Sequence, residues 1–360
     1  MINPSFWAGR RVLLTGHSGF KGSWLSLWLQ KLGAEVMGFS LDTPTTPNLC
    51  QTARISQGIK EVWGDIRSLS ELSAAMQAHQ PEVVIHMAAQ AMVRYSYDHP
   101  VETYAVNLMG TVHLLEAVRQ CASVRSVVCV TTDKCYENKE WLWGYRENEP
   151  MGGFDPYSNS KGCAELAISS YRNSFFSAGH YDRHRTAVAS VRAGNVIGGG
   201  DWGADRLVPD LVKAFAEKRA PLIRNPLATR PWQHVIEPLC GYLMLAERLY
   251  EKGMRYAEGW NFGPDDAGTR PVQWIADNLA SLWGEGAKWD LDKDAHPHEA
   301  MSLRLDCSKA HALLGWHQVW PLETSLAMIV DWYKAYRDGG DVRAVCLDQI
   351  TAYEQACAKA

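Results

Sequence analysis

Residues 11–29 read RVLLTGHSGFKGSWLSLWL, and the order of features within this stretch decides the fold. Arg11–Leu14 is a short aliphatic run of the kind that forms a strand, and Gly22–Leu32 carries a helical pattern. Between them, Gly16, Gly19 and Gly22 give a GxxGxxG spacing. Gly16 permits a tight turn, Gly19 lets the backbone approach a pyrophosphate, and Gly22 allows the helix to pack closely on the strand. The helix N-terminus then offers unpaired N–H groups and the positive end of its dipole to phosphates. Three glycines alone can mean only a turn. Their position between strand and helix makes a dinucleotide site the better reading.

Outward from this unit, short apolar runs alternate with helical patterns. Strands are expected at Glu35–Phe39, Glu61–Trp63, Val83–His86, Val127–Thr131 and Thr186–Arg192. Helices are expected at Leu69–His79, Pro100–Cys121 and from Tyr157 to about Ala178. Runs such as VVIH and SVVCVT are apolar at consecutive positions, as in parallel strands covered on both faces. The alternation predicts an α/β, Rossmann-type doubly wound parallel sheet over residues 1–195. Residues 196–360 are expected to form mainly a smaller α/β substrate domain, with 230–250 packing back on the first. Helical candidates there are Glu237–Tyr250, Val272–Trp283 and Ser308–Leu314. No repeat or low-complexity tract interrupts the 360 residues.

Composition narrows the function classes. The formal charge is −4 with acids and bases interspersed, so neither nucleic acid nor a membrane is an expected partner. No apolar run reaches the 18 or so residues of a membrane span, and Met1–Gly9 lacks the order of a secretion signal; the default expectation is cytoplasmic. Nine cysteines without a CxxC pair suggest neither a disulfide framework nor a zinc ribbon. His296-Pro297-His298-Glu299 has the look of a metal cluster but suits a surface loop as well, and no metal is expected.

The second strand ends near Asp42, about 20 residues past the glycines. A carboxylate there can accept hydrogen bonds from an adenosine ribose and repels a 2′-phosphate, which favours NAD over NADP; it can equally cap the Pro-rich loop that follows. Asp65-Ile66 either flanks the adenine or is an ordinary strand end. Two further stretches carry chemistry. Thr131-Thr132-Asp133-Lys134-Cys135-Tyr136 ends an apolar strand, and Tyr157-Ser158-Asn159-Ser160-Lys161 opens a long helix. Residues i and i+4 share a helix face, so Lys161 projects with Tyr157. An ammonium beside a phenol favours the phenolate, which fits Tyr157 to act as a base.

Together, the GxxGxxG turn, the threonine after the fifth strand, the YxxxK pair and Asn107 in the preceding helix resemble the extended short-chain dehydrogenase/reductase superfamily. The stretches TGHSGFKGSWLSLWL, HMAAQAMVRYSY, TTDKCYENKEWLWGYRENEPMGG, DPYSNSKGCAEL and RPWQHVIEPLCGYLMLAE resemble the CDP-glucose 4,6-dehydratases. Lys134 stands where the dTDP-glucose branch has a glutamate, a departure that the CDP-glucose branch shares. The resemblance implies tightly bound NAD, recycled in each turnover, with His17, Ser18, Phe20, Ala88 and Ala89 joining the three glycines around it. It implies removal of water from the glucosyl unit of CDP-glucose. Tyr157 would take the 4-hydroxyl proton, Thr132 would hold that oxygen, and Lys161 would bridge to the cofactor ribose. Asp133 would protonate the departing C6 oxygen, which requires a desolvated, protonated carboxyl. Lys134 either takes the C5 proton, for which it must be neutral, or tunes Asp133.

For the substrate, Asn195 and Arg192 follow a strand that should end in the cleft. Arg230 and Arg304 are candidates for phosphate, although either alone could be a surface ion pair. Trp232, Gln233, His234 and Val235 are expected near the nucleotide, and His86, Arg94 and Tyr95 at the sugar end. A homodimer through the helices at Pro100–Cys121 and Tyr157 is expected, as superfamily members commonly make. The rivals are another nucleotide-sugar enzyme of the superfamily, such as an epimerase, and a non-catalytic NAD or sugar-nucleotide sensor.

Overall fold

The computed structural model describes residues 1–294 and 301–359. Its centre is a seven-stranded, wholly parallel sheet. In chain order the strands are β1 (Arg11–Thr15), β2 (Glu35–Ser40), β3 (Lys60–Trp63), β4 (Val83–His86), β5 (Ser126–Val130) and β6 (Ala187–Ala193). After β7 (Asn195–Ile197), β8 (Leu222–Ile223) and β9 (Thr229–His234), β10 (Gly259–Phe262) returns to the sheet and closes it at the edge. The order across the sheet is β10-β6-β5-β4-β1-β2-β3. β4, β5 and β6 are buried at every position, which is why their sequences read as unbroken apolar runs.

Two smaller sheets shape the second half. β7 and β9 pair in parallel and β11 (Thr269–Pro271) runs antiparallel to β9, while β8 pairs with β12 (Asp290–Leu291). The helix Ile236–Lys252 packs on β5 and β6. The final helix, Val342–Cys357, lies against the helix Phe20–Lys31. There Trp28 Nε1 donates to Glu354 at 2.8 Å and Arg343 donates to Gln30 at 2.8 Å. The second half of the chain thus braces the first from two sides. Most tryptophans are structural, and Trp7, Trp24, Trp28, Trp260, Trp316 and Trp332 are almost wholly buried.

The helix expected over Pro100–Cys121 is not uniform. It runs as α-helix over Pro100–Tyr104, widens to a π turn at Ala105–Met109, and resumes over Gly110–Arg119. The buried Asn107 sits in that π turn. It accepts from Gln90 N (2.9 Å) and donates to Gln90 O (3.0 Å) and Ser160 Oγ (2.9 Å). One inserted residue therefore ties the loop after β4 to the helix that carries the YxxxK pair.

Candidate active site

β1 and β4 are neighbours whose onward connections run to opposite sides of the sheet. Such a reversal opens a crevice at the C-terminal strand ends, where α/β sheets bind ligands. A cleft of about 1410 Å³ lies there, walled on one side by the glycine turn and on the other by residues 193–232.

The glycine turn fits a dinucleotide. Gly16 has φ +77°, and a Cβ on it would stand 2.6 Å from Ala88 N. A Cβ on Gly22 would come within 2.0 Å of Gly16 O, so the helix could not seat on the turn. Gly19 is the N-cap of Phe20–Lys31 and provides no capping side chain, leaving the first helical turn open to an anion. Gly16, Ser18, Gly19, Phe20, Gly22 and Ala89 line the cleft. His17, Ala88 and Ile66 form the layer beneath. The buried His17 ring lies 3.1 Å from Glu61 through Nε2, and Ile66 packs against Gly110. Asp42 is exposed and accepts from Thr43 N at 2.7 Å, so in this structure it caps the loop rather than forming the cleft wall. Asp65 is gripped by Arg67 through both carboxylate oxygens, at 2.8 and 3.0 Å from Nε, and likewise does not line the cleft.

The chemical residues do converge. Thr132, Asp133, Lys134, Tyr157 and Lys161 all face the cleft. Asp155 caps the helix Pro156–Ser174 by accepting from Ser158 N at 2.9 Å, with Pro156 in the first turn, and this fixes Tyr157 at the helix mouth. A Cβ at Gly162 would meet Gly152 O at 2.7 Å and Cys135 O at 3.2 Å, so a glycine there lets the helix close on the Asp133–Cys135 turn. Thr132 Oγ1 donates to Asp133 Oδ1 at 3.1 Å, while the buried Oδ2 has no hydrogen-bond partner among the described residues. Burial pushes the Asp133 carboxyl above the usual carboxylate range, against the opposing pull of Lys134, the Thr132 hydrogen bond and Arg230.

The Tyr–Lys pair behaves differently from the sequence expectation. Burial pushes the Tyr157 phenol up to about 12, although the Thr132 hydrogen bond and the Arg206 charge pull the other way. Burial also pulls the Lys161 ammonium down to about 8, and its Nζ donates to Val130 O at 3.3 Å. Desolvation, not mutual attraction, is the largest influence on both groups.

Several expected substrate residues are structural instead. His86 is buried between Thr15 (2.7 Å at Nδ1) and Thr111 (3.2 Å at Nε2), and burial pulls its pKa down to about 3. Arg192 is held by Glu165 at 2.9 Å through both Nε and Nη2, and also donates to Tyr136 Oη at 2.7 Å. Gln233 is fully buried and donates to Phe262 O at 2.7 Å. His234 is enclosed by the rings of Trp24 and Trp320. Arg304 lies outside the cleft, 3.9 Å from Asp266. Each sits on a strand or motif that approaches the cleft, but on the side facing the core or the outer surface. Arg94, Tyr95, Asn195, Arg230 and Trp232 do line the cleft.

Two cations there were missed. Lys21, between the second and third glycines, is half-buried near Lys161 and Arg206, and desolvation chiefly, with those charges, pulls it down to about 7. Its Nζ donates to Tyr242 Oη at 3.2 Å. Arg206 pairs with the buried Asp201, with Nη1 3.0 Å from each carboxylate oxygen. A lysine between the second and third glycines was the available signal for the first; Arg206 follows an irregular loop and gives none. The group His296–Glu299 lies outside the described residues, and no cluster of His, Cys, Asp and Glu suited to a metal occurs among the described ones.

Comparisons with known proteins agree with this geometry. Residues 13–260 match the family model described as GDP-mannose 4,6 dehydratase. The CDP-glucose 4,6-dehydratase of Salmonella typhimurium is 54% identical over 356 residues, covering 99% of each chain. Among solved structures, the UDP-glucose 4-epimerase of Thermotoga maritima with UDP-glucose superposes with a TM-score of 0.78 at 20% identity, over 90% of this chain and 99% of that one. The dTDP-glucose 4,6-dehydratase of Bacillus anthracis with NAD gives 0.75 at 20% identity, over 93% and 100%. At that identity the two structures establish the shared fold.

Proposed function

From the premise that the chain belongs to the GDP-mannose 4,6-dehydratase family, within the extended short-chain dehydrogenase/reductase superfamily, we propose that it is an NAD-dependent 4,6-dehydratase of CDP-glucose. The observation that carries the reaction type is the buried Asp133 carboxyl, with one oxygen unpartnered among the described residues, on the same cleft wall as Thr132 and Tyr157. An epimerase needs the tyrosine but no acid placed beside it. The nucleotide assignment rests on the full-length relative.

The glycine turn, with Ser18, Phe20 and Ala89, holds the cofactor. NAD, when bound, supplies the acceptor and later the donor of one hydride, so the reaction is redox-neutral. Tyr157 accepts the proton of the sugar 4-hydroxyl, and Thr132 hydrogen-bonds the same oxygen and fixes its position. Burial opposes the phenolate, and the Thr132 hydrogen bond and the Arg206 charge work in its favour, which is what makes proton acceptance feasible. Once C4 is a ketone its neighbouring C5 proton is acidic, and Lys134, on the Asp133 turn, removes it. Asp133, its carboxyl kept protonated by burial, gives its proton to the C6 hydroxyl, which leaves as water. Asn195, Arg230 and Arg94 bind the diphosphate and sugar. Val101, Met109 and Leu166 are exposed apolar side chains on the two helices expected to pair, and the enzyme acts as a homodimer through them. Its nine free thiols suit the cytoplasm.

The test is incubation of the purified protein with CDP-, UDP-, dTDP- and GDP-glucose, followed by mass analysis and light scattering of the enzyme. Loss of one water from CDP-glucose alone, without net reduced nicotinamide, is expected from a particle of two chains. Unchanged mass with every substrate would move the assignment to an epimerase. Tyr157→Phe then separates enzyme from sensor, because a sensor keeps its binding and has no turnover to lose. A Lys134→Ala enzyme that exchanged the C5 proton at the normal rate would remove Lys134 from the mechanism.

A further inference from the structure

Where the end of β1 meets the end of β4, the hydrogen-bond donors can be followed one by one. Thr15 Oγ1 accepts from Ala88 N at 3.2 Å and from Met87 N, which Thr15 O also shares, at 3.1 Å. The same oxygen lies 2.7 Å from His86 Nδ1. A hydroxyl has two lone pairs and one proton. The two amides take the lone pairs, so the proton points at His86 and Nδ1 accepts it. The ring proton of the neutral imidazole is then on Nε2, which donates to Thr111 Oγ1 at 3.2 Å. Thr111 in turn donates to Asn107 O at 2.7 Å. Burial first, and then the Lys161 charge, holds the His86 pKa down at about 3, in accord with a neutral ring.

From Asn107 the bonds run on in the same sense. Its Nδ2 donates to Ser160 Oγ at 2.9 Å, and Ser160 Oγ donates to Tyr157 O at 2.7 Å. The chain therefore starts on the residue before Gly16, where the backbone is pressed against Ala88 N, and ends on the backbone of Tyr157. All of its side chains are buried, and Thr15, His86 and Thr111 do not line the cleft.

Reversing one proton in this chain would set two donors or two acceptors against each other in a desolvated place. The chain thus fixes the rotation of each group as well as its spacing. What it joins matters for the first chemical step. The cofactor sits on the Gly16 turn, the sugar 4-hydroxyl sits on Tyr157, and hydride transfer from C4 needs the two held at one separation.

We infer that His86, held by Thr15 as its neutral Nε2–H tautomer, is a positioning residue that sets the separation between the cofactor turn and Tyr157. The inference rests on the NAD-dependent reading above and adds to it the buried groups that align the hydride step. His86 acts on alignment and not on binding: without the chain, NAD still has its glycine turn and the sugar still has Tyr157 and Thr132.

The chain is best cut at Thr111, which sits on neither the cofactor turn nor the Tyr157 helix. Thr111→Val removes the hydroxyl, and Thr111→Ser keeps it. With the full-length protein, NAD and the nucleotide glucose that the wild type turns over, Thr111→Val is expected to lower kcat about tenfold or more. KM for the sugar, and Kd for NAD from calorimetric titration, should stay within about threefold of wild type, while Thr111→Ser restores kcat. A group that only stabilised the fold would lower the thermal midpoint and leave kcat of the folded enzyme unchanged. That result, or a serine variant as slow as the valine one, overturns the inference. Nitrogen-15 resonance of the histidine rings, with the His86 signals identified by their loss in His86→Asn, reads the wild-type tautomer whether or not the valine variant folds. A protonated Nε2 beside a bare Nδ1 is expected, and a proton on Nδ1 overturns the inference. A wild type that turns over no nucleotide glucose overturns the functional reading and this inference with it. An active wild type whose valine variant keeps its kcat overturns the inference alone.

Discussion

At the scale of single residues, the site turns on which side chains are desolvated and which are paired. Asp133 is desolvated, its Oδ2 has no hydrogen-bond partner among the described residues, and burial favours its protonated form, as the proposed acid requires. Asp133→Asn keeps the shape and loses the acid. Product formation is expected to fall by about 10²–10⁴-fold, while reduced nicotinamide accumulates because C4 oxidation precedes the lost step; absorbance at the nicotinamide band separates the two. Arg192 is the opposite case, a cation consumed by its partner. Arg192→Ala leaves Glu165 buried without its charge partner, which costs about 3–5 kcal/mol in urea unfolding. KM should change little in the protein that remains folded. A many-fold rise in KM with intact stability would return Arg192 to the diphosphate. The contrast between these residues also marks what was legible. Gly16 and the Tyr157/Lys161 pair are marked by local spacing, and Thr132 and Asp133 by the resemblance of the stretch that holds them. Arg192 and His86 are not, because their partners Glu165 and Thr15 lie 27 and 71 residues away and sequence shows side-chain type without showing which face it occupies.

At the scale of elements, the apolar strands β1, β2, β4, β5 and β6 and the helices at Leu69–His79 and Val272–Trp283 were legible from periodicity, because burial on both faces or on one stripe writes itself into composition. The short strands β7, β9 and β10 were not. Each gains its identity from a distant partner, with Asn195 opposite Trp232 and Gly259 opposite Ser190. The π turn was also hidden, since a single inserted residue leaves the apolar pattern of Pro100–Arg119 nearly unchanged. Its consequence can be measured. Asn107→Ala removes three hydrogen bonds and strands the Gln90 backbone and Ser160 in a buried setting. The expected loss is about 1–3 kcal/mol, read as a lower thermal midpoint. kcat should fall with it at temperatures where the protein is still folded, because the tie between the loop after β4 and the Tyr157 helix loosens.

At the scale of the whole molecule, the two halves are joined by a buried acid. Glu237, in the helix that packs on the central sheet, is fully buried and accepts from Trp320 N (2.7 Å), Val319 N (3.1 Å) and Tyr353 Oη (2.7 Å). It therefore holds together the helix Ile236–Lys252, the loop before Leu322 and the terminal helix that reaches back to Phe20–Lys31. Burial raises its pKa from 4.5 to about 7 despite these donors. The native state then keeps a proton that the unfolded chain releases, so between those two values folding binds protons and stability falls as pH rises. The contribution is complete below about pH 4.5 and lost above about 7, and such a shift corresponds to something on the order of 3 kcal/mol. Glu247, also raised to about 7 by burial, adds in the same direction. Glu237→Gln removes the titration, and urea midpoints of the two proteins across pH 5 to 8 measure the difference in slope, whatever the variant's absolute stability. A wild-type curve that ran parallel to the variant's through this window would mean that Glu237 is ionised in the native protein, with the three donors outweighing its burial.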